Sequence, residues 1–411
     1  MHKIINNCRN CKKKKLKNLF SLGNMSFTGK FSNNSNKNIP KARINLVKCS
    51  YCNLVQLDRN FNPNYLYGKD YGYRSGINKT MTKHLTDTSY LLAKKTNLKK
   101  GDSVLDIASN DGTLLNSYKI KKIIKVGIDP IINKFKNYYS NTQYKINDFF
   151  SYEVIKRKKI QKKFKIITAL SVFYDLEDPN KFLKDIRKII DLKDGVFLLE
   201  NTDLLSIIKY NLFDTICHEH LEYYSVGVIN KMAQANNLRV FDLSVNDING
   251  GSVRFFICHK NAKYKTNHKI VNSYIFMEKK LGLNSIACYK RFIRKVLKLK
   301  LKLRKLIKNI KLQKKTIHGY GASTKGNVLL QFFGLTNKDI KIIADRNILK
   351  NNFYTPGTKI RITTEEYSRK LRPDYYLVLP WHFKKEILKR EKAIIKKGTK
   401  MIFPLPNLTI H

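Results

Sequence analysis

Residues 101–115 read Gly-Asp-Ser-Val-Leu-Asp-Ile-Ala-Ser-Asn-Asp-Gly-Thr-Leu-Leu, and no other stretch constrains the fold as much. An apolar strand, Ser103–Ile107, carries one acid, Asp106. It runs into a loop of small residues, Ala108-Ser109-Asn110-Asp111-Gly112, and then into a helix-like segment. An α/β domain holds a nucleoside cofactor in this way, with the loop's backbone N–H groups brought to the ligand at the strand's C-terminal end. About twenty residues on, Val126-Gly127-Ile128-Asp129 places a second acid at the end of the next strand, where it can bind ribose hydroxyls. The loop lacks the G-x-G-x-x-G of a pyrophosphate cradle, so a ligand without pyrophosphate fits better. S-adenosylmethionine (SAM) is the natural candidate. An ordinary strand-turn-helix is the alternative for this segment alone.

The chain has 411 residues, too many for one core, so two or three domains are expected. Lys and Arg number 81 against 30 Asp and Glu, a net charge of +51. Such charge suggests a nucleic-acid or membrane binder. Here the lysines are spread over every segment among many Asn and Ile residues, as AT-rich coding produces. The expected partner is a small anion such as a nucleotide diphosphate, with no nucleic acid and no membrane. No apolar run reaches the roughly 18 residues of a membrane span. Residues 1–8 lack the apolar stretch of an export signal. Seven cysteines without such a signal suggest thiols in a reducing cytosol, so a cytoplasmic protein is expected. The sequence leaves the oligomeric state open, with a monomer as the default.

Four of the cysteines form two knuckles, Cys8-x2-Cys11 and Cys49-x2-Cys52. Four thiolates close a tetrahedral zinc site with no open position, so the expected metal is structural. A disulfide pair or coincidence are the alternatives. The long gap between the knuckles must hold a small folded insert, with residues 33–38 as a flexible loop. Residues 65–78, which include Tyr71, Tyr73, Arg74 and Asn78, suit a polar ring and its phosphates, or form an aromatic linker.

From residue 79 to about 260 helices and strands alternate. Candidate strands are Ser103–Ile107, Ile124–Ile128, Ile166–Leu170, 196–200, 239–243 and 252–258. The last two flank a turn cluster at 246–251, suited to an antiparallel hairpin. Parallel strands closed by a late hairpin describe the class I methyltransferase sheet. Residues 173–179 form a loop at a strand's C-terminal end, where an α/β site belongs. Residues 285–312 read as one long basic helix. Its apolar stripe is Phe292, Val296, Leu299, Leu303, Leu306 and Ile310. It packs between domains or, alternatively, lies on a membrane surface. A second α/β unit starts at 316–327, where Gly319, Gly321 and Gly326 let backbone approach a phosphate and Lys325 adds charge. Further strands follow at 342–345 and 375–380, the latter just before the only tryptophan, Trp381.

The densest set of titratable groups is Asp214-Thr215-Ile216-Cys217-His218-Glu219-His220-Leu221-Glu222-Tyr223-Tyr224. A metal site is disfavoured because the stretch is loop-like and lacks helical i, i+4 ligands. An acid–base role fits better, since histidine titrates near neutrality and a carboxylate can tune it. A satisfied structural histidine is the alternative for His218.

Taken in order, these features resemble the three-domain SAM-dependent C-methyltransferases that act on nucleotide-linked keto-deoxysugars. The match rests on the four-cysteine knuckle and the cofactor loop. It continues through the D-T-x-x-H-E-H-L-x-Y segment, the N-G-G-S hairpin at 249–252 and the G-Y-G-A-S-x-K-G-N run at 319–327. It includes Asn201, the 354–358 segment Tyr-Thr-Pro-Gly-Thr and Leu379-Pro380-Trp381-His382-Phe383, and spans Cys8 to about Pro404. Two positions depart from the pattern. Ala108 stands where the loop usually has Gly, and Cys217 where sugar methyltransferases have Tyr. The resemblance implies an α/β chain of three units. They are a zinc-binding domain at 1–78, a class I, seven-stranded Rossmann-like methyltransferase domain at 79–283 and a second Rossmann-like domain at 284–411.

The implied reaction removes the acidic C–H beside a ketone and lets the enolate carbon take the methyl group of SAM. By resemblance His220 is the base, assisted by Glu219, with Cys217 and His218 as further catalytic candidates. Expected cofactor contacts are Asp106, Ala108, Ser109, Asn110, Asp111, Gly112, Asp129, Asp148 and Ser171. Expected substrate contacts are Tyr71, Tyr73, Arg74, Asn78, Tyr174, Asn201 and Lys325. Expected zinc ligands are Cys8, Cys11, Cys49 and Cys52. Two rival readings are methyl transfer to O or N, and a basic zinc-containing nucleic-acid-binding protein.

Overall fold

The computed structural model describes residues 2–68 and 73–411. Three sheets of more than two strands organise them. The N-terminal sheet is a long antiparallel hairpin, Leu16–Ser26 against Lys41–Cys49, flanked by Val55–Leu57 and, at its edge, by Glu222–Tyr223. The insert between the knuckles is therefore this hairpin. Two register shifts bend it, between Asn18 and Phe20 and between Ser21 and Gly23. The edge strand comes from the segment rich in titratable groups.

The central sheet has seven strands in the order Leu238–Asn246, Ser252–His259, Val196–Thr202, Ile166–Leu170, Ser103–Ile107, Ile124–Ile128 and Tyr144–Ile146. Ser252–His259 runs antiparallel to both its neighbours, and the other pairings are parallel. This is the class I methyltransferase arrangement. Every residue of Ser103–Ile107 is buried, as the continuous apolar run of a strand covered on both faces requires. The helix Lys79–Thr96 is tied to the sheet by a buried ionic contact. Glu200 lies 2.7 Å from His84 Nε2 and 2.6 Å from Arg254 Nε.

The long basic helix is Ile286–Leu312. Phe292, Val296, Leu299, Leu303, Ile307 and Ile310 are its buried stripe, with Leu306 only partly covered. Beyond it lies a six-stranded sheet in the order Arg361–Thr364, Ile342–Asp345, Ile317–Tyr320, Tyr375–Val378, Lys400–Phe403, Thr409–Ile410. All its pairings are parallel but the last. Strand order reverses between Ile317–Tyr320 and Tyr375–Val378, where such sheets open a crevice at the strands' C-terminal ends. Just beyond those ends come Lys325, in the first turn of the helix Thr324–Phe333, and the 3-10 turn Trp381–Phe383. No helix among the described residues is long and apolar enough to cross a membrane.

Candidate functional site

The four knuckle sulfurs lie within 4.8 Å of one another. Cys8 Sγ is 3.4 Å from Cys52 Sγ, and Cys11 Sγ is 3.6 Å from Cys49 Sγ. A zinc ion about 2.3 Å from each of four tetrahedral sulfurs spaces them about 3.8 Å apart. The geometry fits zinc with all four ligands supplied by protein. All seven cysteines are free of disulfides.

The loop after Ser103–Ile107 takes positive φ at alternate residues, 57° at Ala108, 50° at Asn110 and 74° at Gly112. A Cβ on Gly112 would sit 2.7 Å from the ring of Tyr139, so the position admits only glycine without rearrangement. The loop's amides are already bonded within the protein. Those of Ala108 and Ser109 donate to Ile128 O at 2.8 and 3.3 Å, that of Asn110 to Asp129 Oδ2 at 2.9 Å and that of Gly112 to Ser109 O at 2.9 Å. The expected presentation of N–H groups to a ligand is thus corrected at these four positions. The side chains that gather at the loop are carboxylates, those of Asp106, Asp111 and Asp129.

Three acids converge here. Burial raises Asp106 to about 7, with Asp129 and Asp111 adding repulsion against a hydrogen bond from Thr168. Burial raises Asp129 to about 6, against the pull of the Ile131 and Asn110 amides. An acceptor-rich, acidic loop suits a cationic cofactor with ribose hydroxyls and is unsuited to a pyrophosphate. SAM carries an ammonium and a sulfonium, so these residues fit it.

Other residues expected to touch the cofactor are occupied elsewhere. Asn110 Oδ1 accepts from Ser75 N at 2.9 Å, and its amide donates to Tyr73 O at 3.1 Å. Asp111 Oδ2 accepts from Gly76 N at 2.9 Å and lies 3.5 Å from Arg74 Nε. These two side chains strap the 73–76 segment onto the loop. Ser109 Oγ pairs with Tyr139 OH at 2.7 Å. Asp148 follows Tyr144–Ile146 and pairs with Arg157 at 2.8 Å. Ser171, at φ 57°, receives the Asn249 amide at 3.3 Å.

The second cluster forms where all three sheets meet. The 3-10 turn Phe213–Thr215 presents Thr215 O to His220 Nδ1 at 2.7 Å. A carbonyl can only accept, so Nδ1 carries the proton and Nε2 the free lone pair. The ring lies against Tyr174, with centroids 4.2 Å apart. Burial, reinforced by the charge of Lys325, lowers His220 to about 3. Lys325 is itself lowered by burial, with Asp214 and Cys217 opposing. Its ammonium donates to Asn249 O at 3.0 Å. Trp381 Nε1 donates to Asp214 Oδ2 at 2.8 Å. His382, buried near Lys325, is held well below its ordinary value, and its Nδ1 has no partner. Asn201 is 1% exposed, yet neither atom of its amide has a protein partner.

Glu219 points the other way, toward the zinc-domain side of the same junction. Its Oε2 accepts from Thr28 Oγ1 at 3.0 Å, and Asn327 donates to Thr28 O at 2.7 Å. Cys217 is pushed well above its usual value, by burial first and then by the Glu219 carboxylate, so it remains a thiol. Asp175 is likewise raised well above the carboxylate range by burial, opposed by a Tyr67 hydrogen bond.

His218 leaves the cluster. Its Nε2 donates to Ala42 O at 3.2 Å, and its ring lies 4.6 and 5.1 Å from those of Phe27 and Phe61. It is a core histidine of the zinc domain, which removes it from the catalytic candidates. Arg74 stacks on Tyr138 at 4.2 Å, Tyr73 is exposed, and Asn78 caps the helix Lys79–Thr96 through Met81 N. These three therefore hold or flank the strap. Tyr71 lies outside the described residues. Asp175, Asp214 and His382 were not among the expected site residues, although Asp214 and His382 stand in the motifs quoted above.

Three family models cover the chain in order: a zinc binding domain at 8–67, a methyltransferase domain at 77–243 and a C-methyltransferase C-terminal domain at 247–406. The chain is similar to C-methyltransferase NovU of Streptomyces niveus. The two are 28% identical over 364 residues, 88% of this chain and 86% of that one. Among solved structures, an S-adenosylmethionine-dependent methyltransferase from Clostridium acetobutylicum aligns over 43% of this chain and 92% of its own, at 15% identity and TM-score 0.33. Mycolic acid cyclopropane synthase CmaA1 aligns over 47% and 92%, at 13% identity and TM-score 0.35. Overlaps this loose carry no argument. The methyltransferase domain model spans the acid-lined loop, and the zinc binding domain model spans the four clustered cysteines. The chain belongs to the SAM-dependent C-methyltransferases built from these three domains.

Proposed function

We propose that the protein methylates the carbon beside the ketone of a nucleotide-linked keto-deoxysugar, with His220 as base. The observation that carries this reading is the state of His220. A hydrogen bond fixes its proton on Nδ1, and burial keeps the ring neutral. Nε2 thus keeps its lone pair unprotonated over the whole working pH range. An O- or N-methyltransferase needs no carbon acid and no enolate-forming base.

Bound SAM supplies an electrophilic methyl carbon and leaves as the neutral thioether. His220 Nε2 takes the C–H proton, and that bonding pair becomes the enolate. The enolate carbon forms the new C–C bond, and the ketone is restored. A base in reach of the C–H contributes about 10²–10⁴-fold. The enolate oxygen needs a positive partner. Lys325 is our candidate, with His382 and the Asn201 amide beside the same junction as sugar contacts. Transfer of the proton to His220 next to Lys325 is costly for a lone imidazole, and the negative enolate offsets that cost. Glu219 anchors the segment through Thr28 and is the alternative base. We take the division at 78 and 283 as the domain boundaries and place the reaction in the cytoplasm, where the zinc thiolates stay reduced.

The test is hydrogen exchange. Wild-type protein with the demethylated cofactor in heavy water should exchange the C–H beside the ketone of a keto-sugar nucleotide. His220→Asn should not, while SAM affinity stays intact. Full exchange by the mutant would move the base role to Glu219.

A further inference from the structure

The first zinc knuckle holds a buried arginine whose reach extends past its own domain. Arg9 stands between Cys8 and Cys11 and is 3% exposed. Its amide donates to Gln56 Oε1 at 2.9 Å. Nη1 donates to Leu57 O at 2.8 Å and, more weakly, to Leu221 O at 3.4 Å. Nη2 donates to Arg59 O at 2.8 Å and to Asn60 Oδ1 at 2.5 Å. Nε donates to the same Asn60 Oδ1 at 3.2 Å and lies 3.5 Å from Glu222 Oε1. Glu222 is 1% exposed, and neither of its oxygens has a hydrogen-bond partner. Among the described residues Arg9 is the only cation within ion-pair distance of it.

Leu221 and Glu222 follow His220 directly. Glu222–Tyr223 joins the zinc-domain sheet at its edge, pairing with Gln56 and Val55, and Leu57 N donates to Leu221 O at 2.8 Å. Tyr223 OH donates back to His220 O at 3.0 Å. The same knuckle grips the methyltransferase domain elsewhere. Asn180 donates to Asn10 O at 2.9 Å, and Lys12 lies 3.3 Å from Asp178. The second knuckle differs. Its Asn53 accepts from Lys48 within its own strand pair at 2.6 Å, and Tyr51 faces solvent.

We propose that Arg9 is a positioning residue for the reaction: the zinc-held knuckle fixes its guanidinium, and the guanidinium fixes the strand that directly follows His220. Zinc would then organise the proton-transfer machinery as well as its own domain. The inference rests on His220 being the base, and the experiment separates the two.

In the zinc-loaded full-length protein, Arg9→Gln should retain zinc and SAM affinity. Losing the guanidinium's hydrogen bonds to Leu57 O, Leu221 O and Arg59 O, beside the buried Glu222 carboxyl, should speed amide exchange at Leu57 and 222–224 at least about tenfold, because local opening becomes easier. A displaced base should lower kcat by about 10²-fold with KM little changed. Arg9→Lys keeps the charge and should recover part of both. Lys48→Met, at the second knuckle, should move neither. If Arg9→Gln loses zinc or fails to fold, Glu222→Gln, which leaves the knuckle intact, should still speed the same amides. Unchanged exchange in a zinc-loaded Arg9→Gln or in Glu222→Gln overturns the proposal. Faster exchange with undiminished turnover overturns the positioning role of Arg9, while the assignment of His220 stands or falls on the His220→Asn exchange experiment.

Discussion

Replacing Lys325 by Met removes a half-buried charge while keeping most of the side chain's length. The ammonium spends one donor on Asn249 O at 3.0 Å, which leaves two protons for a substrate oxygen. An ion pair at about 4 Å in an effective dielectric of about 20 is worth about 4 kcal/mol. Loss of one preorganised donor to an oxyanion costs about 10²–10³-fold in turnover, about 3–4 kcal/mol. The two routes agree, so Lys325→Met should lower turnover by about 10²-fold or more. His220 should move the opposite way. Lys325 is the second cause of its depression to about 3, after burial. Without that cation the ring should titrate higher, while burial still holds it below 6.5. Turnover is read with a keto-sugar nucleotide and SAM, and the His220 titration by NMR of labelled imidazole. A variant within about threefold of wild type, or one whose His220 titrates unchanged, refutes the electrostatic role of Lys325.

Zinc analysis should find about one ion per chain, and Cys49→Ser should unfold the N-terminal sheet, because metal binding and folding are one event in such sites. Ala108→Gly should raise the denaturation midpoint by up to about 1 kcal/mol of stability, because an alanine at φ 57° carries strain that glycine lacks. SAM affinity should fall as pH drops from 8 toward 5, since Asp106 and Asp129, raised to about 7 and about 6, take up protons there and stop attracting a cation. A calorimetric affinity flat across that range would contradict the anionic character of the pocket.

The fold was legible wherever a strand is a continuous apolar run, as in Ser103–Ile107 or Ile166–Leu170. It was not legible in Tyr144–Ile146, which is three residues long with two exposed, nor in Arg361–Thr364 and Lys400–Phe403, each of which opens on an exposed cation. Parallel pairing with a distant strand, absent from local sequence, makes these segments β. The same holds in the site. Asp129 and the cysteines declare themselves by spacing. The strap held by Asn110 and Asp111 is a tertiary contact, so those side chains read as cofactor ligands. His218 and His220 part because the chain turns between them, with His220 N bonded to Cys217 O at 3.3 Å. Two histidines on an untwisted strand would face one side. Arg9 sits inside the first knuckle, but nothing in its spacing marks it, because its contact at Leu221 lies over two hundred residues away.

The most direct test of the central claim is the bond that is made. With SAM carrying a heavy-carbon methyl group and a keto-sugar nucleotide as acceptor, NMR of the product should show the label coupled to a ring carbon adjacent to the carbonyl. The hydrogen once on that carbon should be lost to solvent. A label bonded to oxygen or nitrogen, with the ring C–H retained, would contradict it.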